Sequence, residues 1–350
     1  MDSLTHLCIP RSKAIIATDL NLDNLTDGGN KLAAFYDFAP EIEDFGDALI
    51  RGLTSSPKSL PCKFFYDKRG SELFDLICKL PEYYVTRTEL QLLNDYSEEI
   101  LSFCGDNLHI IEFGSGSSHK IRSLLNSADK VKAYTAIDIS REHLIRSCLD
   151  LAKNYKSLLV SAICTDYSKT FNLPDLPAEG SRKIAYFPGS SIGNFSRQDA
   201  ALFLKRAGNL LGSGSGLLIG IDLKKDQSLL NAAYNDSQGI TAAFNLNLLH
   251  RARAELKVPF EVEKFTHDAI YNAEQGRIEM YLESKVDQAL SWKGNLFKFK
   301  SGERIHTENS HKYSLDEIET LANSSGYKVE KRWVDKASLF SVYFLSFLAA

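Results

Sequence analysis

The chain has 350 residues, enough for one large domain with an insertion or for two domains. It is 44% hydrophobic and 25% charged, and its 41 Lys and Arg against 45 Asp and Glu leave no basic excess for a nucleic-acid surface. No apolar run approaches the roughly 20 residues that a bilayer span requires, and the opening MDSLTHLCIPRSK lacks the charged start and long apolar stretch of a signal peptide.

The expectation is therefore a cytoplasmic protein with neither a nucleic-acid nor a membrane partner. Cysteines at 8, 62, 78, 104, 148 and 164 form no CxxC pair, and no histidines are spaced HxxxH. That excludes the usual signatures of zinc sites and disulfide frameworks, so no metal site is expected and the thiols should be reduced.

Residues 1–40 are polar and weakly periodic, as in a poorly ordered lead-in. In 41–53, Ile42, Phe45, Leu49 and Ile50 recur at helical spacing. After the linker TSSPKSLP, a helix is predicted from about Ser71 to Lys79. Pro81 should end it, because proline disfavours helical geometry at the residue before it. A second helix should start at Thr86 or Thr88 and run to about residue 104.

From 107 to 225, short apolar runs alternate with helical stretches. The predicted strands are 109–113, 133–138, 158–164, 183–188 and 216–222, and helices start near His119, Arg141 and Asp199. This alternation defines an α/β protein with a parallel, doubly wound sheet. The stretch 225–310 breaks the rhythm: two helical runs are followed by the strands FEVEKFTHDAIYN and RIEMYLES, with GNLFKF nearby. It reads as a late insertion, after which α/β character resumes.

The run IIEFGSGSSHK puts Glu112, Gly114 and Gly116 where the first strand of that sheet meets its helix, and glycines there let backbone approach a ligand. Asp138 ends the second strand, 138 − 114 = 24 residues after the first glycine. An acidic residue at about that distance suits a ribose. Asp166 and Tyr167 follow the third strand, where a carboxylate can meet an adenine amino group and a ring can cover the base. A nicotinamide enzyme normally carries GxGxxG; His119 holds the third glycine's place, which favours S-adenosylmethionine over NAD.

EFGSGSSHKIR, FPGSSIGNF, YNDSQGITAAFNLNLL, RIEMYLES, TENSHKYS and the upstream FFYDKRGSELFDLICKLPEYYVTRTE resemble the histidine Nα-methyltransferase family, over about residues 41–345. The resemblance implies a Rossmann-like class I methyltransferase sheet (89–224 plus 311–350) and a second, substrate-binding domain (41–88 plus 225–310). It implies transfer of three methyl groups from S-adenosylmethionine to the α-amino nitrogen of L-histidine, giving hercynine, the first step of ergothioneine biosynthesis. The protein is expected to be a monomer. Tyr66, Gly114, Ser115, Lys120, Asp138, Asp166 and Tyr167 would line the S-adenosylmethionine site. Asn194 and Tyr234 would hold the substrate carboxylate, Tyr83, Glu308 and Ser310 would contact the imidazole, and Phe74 and Met280 would shape the wall. Ile121 stands where the family often has Thr, and Tyr167 where some members have Phe.

The residues support part of this reading by themselves. Glu308 and Ser310 are two apart, so on an extended strand both face one way, an acceptor beside a hydroxyl, suited to a ring that carries N–H groups. Asn194 follows a strand end, where open α/β sheets bind ligands. Ile278, Met280 and Leu282 alternate together, which fits a core as well as a pocket. Tyr234 and Lys120 also fit ordinary packing and an ordinary helical first turn. No dedicated base is visible; water or a tyrosine hydroxyl, with Tyr66 the candidate, would relay the amine's proton. The alternatives are a methyltransferase acting on another amino acid such as a tryptophan derivative, an NAD-dependent oxidoreductase, and a silent binding protein.

Overall fold

The computed structural model describes residues 15–16, 26–27, 30–40, 43–116, 118–126 and 130–348. Two-residue strands β1 (Ile15–Ile16), β2 (Thr26–Asp27) and β3 (Asn30–Lys31) precede β4 (Ala34–Asp37) and α1 (Phe45–Thr54). Asp44 starts α1 by accepting the Asp47 N–H at 2.9 Å. β5 (Lys58–Ser59) leads to α2 (Lys68–Ile77), which begins before Ser71 because the Asp67 carboxylate caps it from Gly70 N–H at 2.7 Å. Pro81 lies in the turn that follows, and α3 (Tyr84–Cys104) resumes two residues earlier than Thr86.

The α/β stretch runs β6 (Leu108–Phe113), α4 (His119–Leu125), β7 (Val131–Asp138), α5 (Arg141–Asn154), β8 (Leu159–Cys164), β9 (Arg182–Phe187), α6 (Arg197–Leu211) and β10 (Gly216–Asp222). α7 (Gln227–Tyr234) and α8 (Ile240–Leu256) begin the late segment. β11 (Phe265–Asn272) is shorter than the expected FEVEKFTHDAIYN strand, because Val262–Lys264 turns as a 3₁₀ helix. β12 (Arg277–Ser284), the hairpin β13 (Gln288–Trp292) and β14 (Asn295–Phe299), and β15 (Arg304–His311) complete it. α9 (Leu315–Ser324), β16 (Tyr327–Val334) and β17 (Phe340–Phe347) follow.

The large sheet has the order β1-β4-β8-β7-β6-β9-β10-β17-β16. Its centre is parallel, and all six residues of β6 are buried, as expected of a strand covered on both faces. The parallel expectation fails at one edge: β17 runs antiparallel to both β10 and β16, since the link from Val334 to Phe340 is too short for a crossover. The expectation of a poorly ordered lead-in fails over 30–40, where Ala34–Asp37 pairs in parallel with β8 and buries Phe35. The other parts of 1–40 apart from 15–16, 26–27 and 30–40 lie outside the described residues.

The second sheet, β11-β12-β15-β5, packs on α7 and α8. Two features attach it to the carboxyl ends of β10 and β9. Tyr313 N–H donates to Asp222 O at 3.1 Å, and a Cβ on Gly193 would lie 2.7 Å from the His311 carbonyl. Only glycine lets the 191–194 turn approach β15 this closely. Side chains of β15 therefore meet the strand ends of the large sheet. Among the described residues no helix is long and apolar enough to cross a membrane.

Candidate active site

The cofactor half is built mainly from backbone. Gly114 (φ 70°) and Gly116 (φ 48°) turn the chain out of β6, and Gly114 N–H returns to Ile137 O at 2.8 Å. A Cβ on Gly114 would stand 3.1 Å from the Tyr167 hydroxyl, whereas one on Gly116 would meet nothing within 4 Å. Asp138 sits at the end of β7 and takes Gly116 N–H at 3.3 Å and Ser140 N–H at 2.9 Å. Asp166 is fixed by Ser168 N–H at 3.0 Å. Tyr167 lies edge-on to Phe113 at 6.1 Å.

Among the described residues the buried Ser115 hydroxyl has no hydrogen-bond partner. An orphaned hydroxyl, open space over Gly116 and acids at two successive strand ends fit a nucleoside with a charged tail. Lys120, the residue expected at that tail, ion-pairs at 2.6 Å with Glu89, which is 0% exposed and accepts Gly189 N–H on both oxygens at 2.9 and 3.0 Å. Lys120 thus stands beside the turn that leads into the substrate half.

That half is a cavity of about 70 Å³, lined by all seven residues expected to bind the substrate, Phe74, Tyr83, Asn194, Tyr234, Met280, Glu308 and Ser310, together with Tyr66, which was expected on the cofactor side as the proton relay. They come from five separate stretches of chain. Met280 pairs with Glu308 across β12 and β15, and the register shift after Met280 leaves Glu308 and Ser310 alternating toward the same space. Rings form the opposite wall: Phe74 lies 5.7 Å from Tyr66 and 6.5 Å from Tyr83, and Tyr83 lies 6.1 Å from Tyr234.

Among the described residues nothing hydrogen-bonds the Glu308 carboxylate. Burial raises its pKa to about 7 against the opposing pull of Lys312. Burial first, then Glu308, push the Tyr66 phenol well above its ordinary range, and burial and Tyr234 do the same to Tyr83. Both are neutral hydroxyls at working pH, so Tyr66 can relay a proton as O–H but is a poor resting base. It is 37% exposed, at the mouth of the cavity.

The sequence reading missed four residues here. Phe244 stacks at 4.5 Å on Phe65 and faces Tyr66 and Phe74; no local pattern marked it. Thr241, also buried, lines the cavity and donates its backbone N–H to Asp236 Oδ1 at 2.7 Å. Lys312, 0% exposed, contacts Tyr234 and Ser310 at 2.9 Å and Asp222 at 2.8 Å. It continues the 308, 310 alternation, which was the available signal. Asp222 also holds Lys225 and the Tyr84 hydroxyl. A larger open groove of about 1020 Å³ runs beneath the 169–181 loop and shares only Tyr167 with the expected site residues.

A sheet ordered β8-β7-β6-β9-β10-β17-β16 with β17 reversed, a glycine turn after its first central strand and acids at the next two strand ends define a class I, S-adenosylmethionine-dependent methyltransferase. The family model "Histidine-specific methyltransferase, SAM-dependent" matches residues 45–347, and the chain belongs to that family. It is 37% identical to the histidine N-alpha-methyltransferase of Mycolicibacterium smegmatis, over 83% of this chain and 91% of that protein. It is 35% identical to the Mycobacterium tuberculosis enzyme of the same name, over 86% and 95%. With ergothioneine biosynthesis protein 1 of Neurospora crassa it shares 34% identity over 79% of this chain but only 32% of that longer protein.

Proposed function

We propose that the protein methylates the α-amino nitrogen of L-histidine three times to give hercynine, as the first step of ergothioneine formation, and that it works as a cytoplasmic monomer without nucleic-acid or membrane partners. One observation carries the reading. A buried carboxylate with no hydrogen bond among the described residues, Glu308, lies beside the Ser310 hydroxyl in a cavity walled by aromatic rings. Imidazole supplies the missing donor and a flat ring. Indole also offers an N–H, but only one, and needs more room against Met280.

In this reading Asn194 and Tyr234 hold the substrate carboxylate, while Glu308, Ser310 and Tyr83 take the ring. The amine is thereby directed toward Gly189 and the glycine turn. Residues 41–88 with 225–310 form the substrate-binding part, and 89–224 with 311–350 the methyltransferase part. When bound, S-adenosylmethionine would supply a sulfonium methyl carbon for in-line attack by the neutral amine, with the thioether of adenosylhomocysteine as the leaving group. Gly114, Ser115, Asp138, Asp166 and Tyr167 would hold its nucleoside, and Lys120 its carboxylate.

Alignment then carries most of the rate, and a fixed near-attack pose contributes roughly 7–11 kcal/mol in favourable systems. The amine's proton leaves through water or the Tyr66 hydroxyl. Tyr66 and Tyr83 present ring faces to the growing ammonium, a cation–π arrangement that tolerates each added methyl. Mass spectrometry of histidine incubated with the protein and S-adenosylmethionine should show one, two and then three added methyl groups. Unmodified histidine, or a tryptophan derivative methylated in preference, would overturn the proposal.

A further inference from the structure

The mechanism above leaves Lys312 without a task, although it is a wholly buried ammonium at the centre of the cavity wall. Its three N–H groups are all committed: to Asp222 Oδ2 at 2.8 Å, Tyr234 Oη at 2.9 Å and Ser310 Oγ at 2.9 Å. Burying an ammonium is costly unless it is fully partnered. Asp222 and the two hydroxyls meet that condition, and the ammonium stays charged. Tyr234 O–H also donates to Ser310 Oγ at 2.9 Å.

A serine hydroxyl has two lone pairs and one proton. Lys312 and Tyr234 fill both lone pairs of Ser310. The only hydrogen bond left for Ser310 to make toward the cavity is a donated one. If a substrate carboxylate draws the Tyr234 proton away, Lys312 still occupies one lone pair, and a cation stands directly behind the oxygen. A ring N–H⁺ opposite Ser310 would face a hydroxyl turned the wrong way and a like charge beyond it.

We propose that Lys312 makes the cavity selective for the neutral imidazole ring, by fixing Ser310 as a hydrogen-bond donor. The ring then gives its single N–H to Glu308 and accepts from Ser310 at its bare nitrogen. Lys312 is a positioning residue, acting through Ser310 and Tyr234. The inference rests on histidine being the substrate.

The titratable groups facing Lys312 are Asp222 from β10 and Lys225 beyond it, Asp335 from the β16–β17 turn, Tyr84 from α3, Tyr234 from α7, and Glu308 and His311 from its own strand. Cys62, Tyr66 and Tyr83 face Glu308. His267 on β11 bonds the Tyr234 carbonyl and lies below its ordinary range, chiefly through burial. Burial would raise Asp222, but Lys312 and Lys225 hold it low; burial brings Lys225 down to about 8 and His311 to about 4. Among the groups that line the cavity, those that change charge between pH 5 and 7 are therefore Glu308 and the substrate ring, with His267 set behind the Tyr234 carbonyl.

The test is the ¹⁵N spectrum of ring-labelled histidine bound to the protein with adenosylhomocysteine at pH 5.5, where free histidine, with a ring pKa near 6.5, is about nine-tenths protonated. The wild-type complex should show two well-separated nitrogen resonances, one protonated and one bare. In Lys312→Met the same ring should titrate to imidazolium, and its KM for histidine should rise about tenfold or more. An imidazolium in the wild-type complex, or a ring that stays neutral in Lys312→Met, overturns the inference while leaving histidine as the substrate. The wild-type spectrum decides the matter even if the variant does not fold. Failure of calorimetry to detect histidine binding at all would instead remove the functional reading beneath it.

Discussion

The cofactor half and the substrate half of this site are made differently. The first uses backbone at neighbouring strand ends: Gly114, Gly116, Asp138 and Asp166 all lie within 53 residues (166 − 114 + 1) of one another. The second uses side chains gathered from 3₁₀-turn, helix and strand segments between Tyr66 and Lys312, held by ions that are themselves buried. A backbone site tolerates change in side chains that it does not use. A side-chain site depends on each partner in its network, so single substitutions should separate the halves.

The largest separation should come from Glu308→Ala. It removes the acceptor proposed for the ring N–H, a loss of about 1–3 kcal/mol for a buried hydrogen-bonding group, or on the order of a hundredfold in KM for histidine at the upper end. Steady-state kinetics should find the KM for S-adenosylmethionine nearly unchanged. Equal losses for both substrates would mean that the two halves are not separable in this way.

Asp138→Ala should do the reverse, raising the KM for S-adenosylmethionine about tenfold through one lost charge-assisted contact. Histidine affinity, read by calorimetry, should stay within a factor of about two, an allowance for the context dependence of single contacts. A larger loss of histidine affinity would show that the turn at Gly116, which Asp138 braces, also shapes the substrate cavity.

A change of pH should weaken the substrate half selectively. Glu308 is raised to about 7, so the folded, ligand-free protein binds a proton there that an unfolded chain would release until nearer its ordinary carboxylate range. Glu308 therefore adds stability as pH falls through about 7, while histidine must compete with that proton. The KM for histidine should rise by up to about tenfold per unit below pH 7 through Glu308, and more steeply below about pH 6.5 where the free ring also protonates, with little change for S-adenosylmethionine. A flat profile from pH 7.5 to 5.5 would argue against an ionised Glu308 in the complex.

The smallest effect should come from outside both halves. Ser314 and Glu317 form a reciprocal cap on α9, with bonds of 2.7 and 3.2 Å. Ser314→Ala should cost about 1 kcal/mol of stability in denaturant unfolding and leave both KM values unchanged. Since Ser314 lies two residues beyond Lys312, a shift in histidine KM would show that the start of α9 helps to place the ammonium.

The same contrast explains what the sequence revealed. The alternation of strands and helices and the acids at successive strand ends are local patterns, so most of the large sheet and the cofactor turn could be read directly. Glu308 and Ser310 were legible through their spacing on an extended strand, and Lys312 two residues on obeyed the same rule without being noticed. Glu89 and Asp222 could not be read this way, because their partners lie far along the chain: Gly189 for one, Lys312 for the other. Ala34–Asp37 was missed because a strand of four residues has too few positions to show a period. The reversed β17 follows from a short connection rather than from the strand's own residues. The family resemblance, in turn, pointed to residues such as Phe74 and Tyr83 that by pattern alone were indistinguishable from core.

The central claim is that one cavity grips histidine by its ring and turns its amine toward the glycine turn. The most direct measurement is a crystal structure with histidine and adenosylhomocysteine both bound. The account predicts the imidazole N–H on Glu308, the carboxylate near Asn194, and the α-nitrogen as the substrate atom nearest the sulfur of adenosylhomocysteine. A ring pointing at that sulfur, with the carboxylate turned away from Asn194, would contradict it.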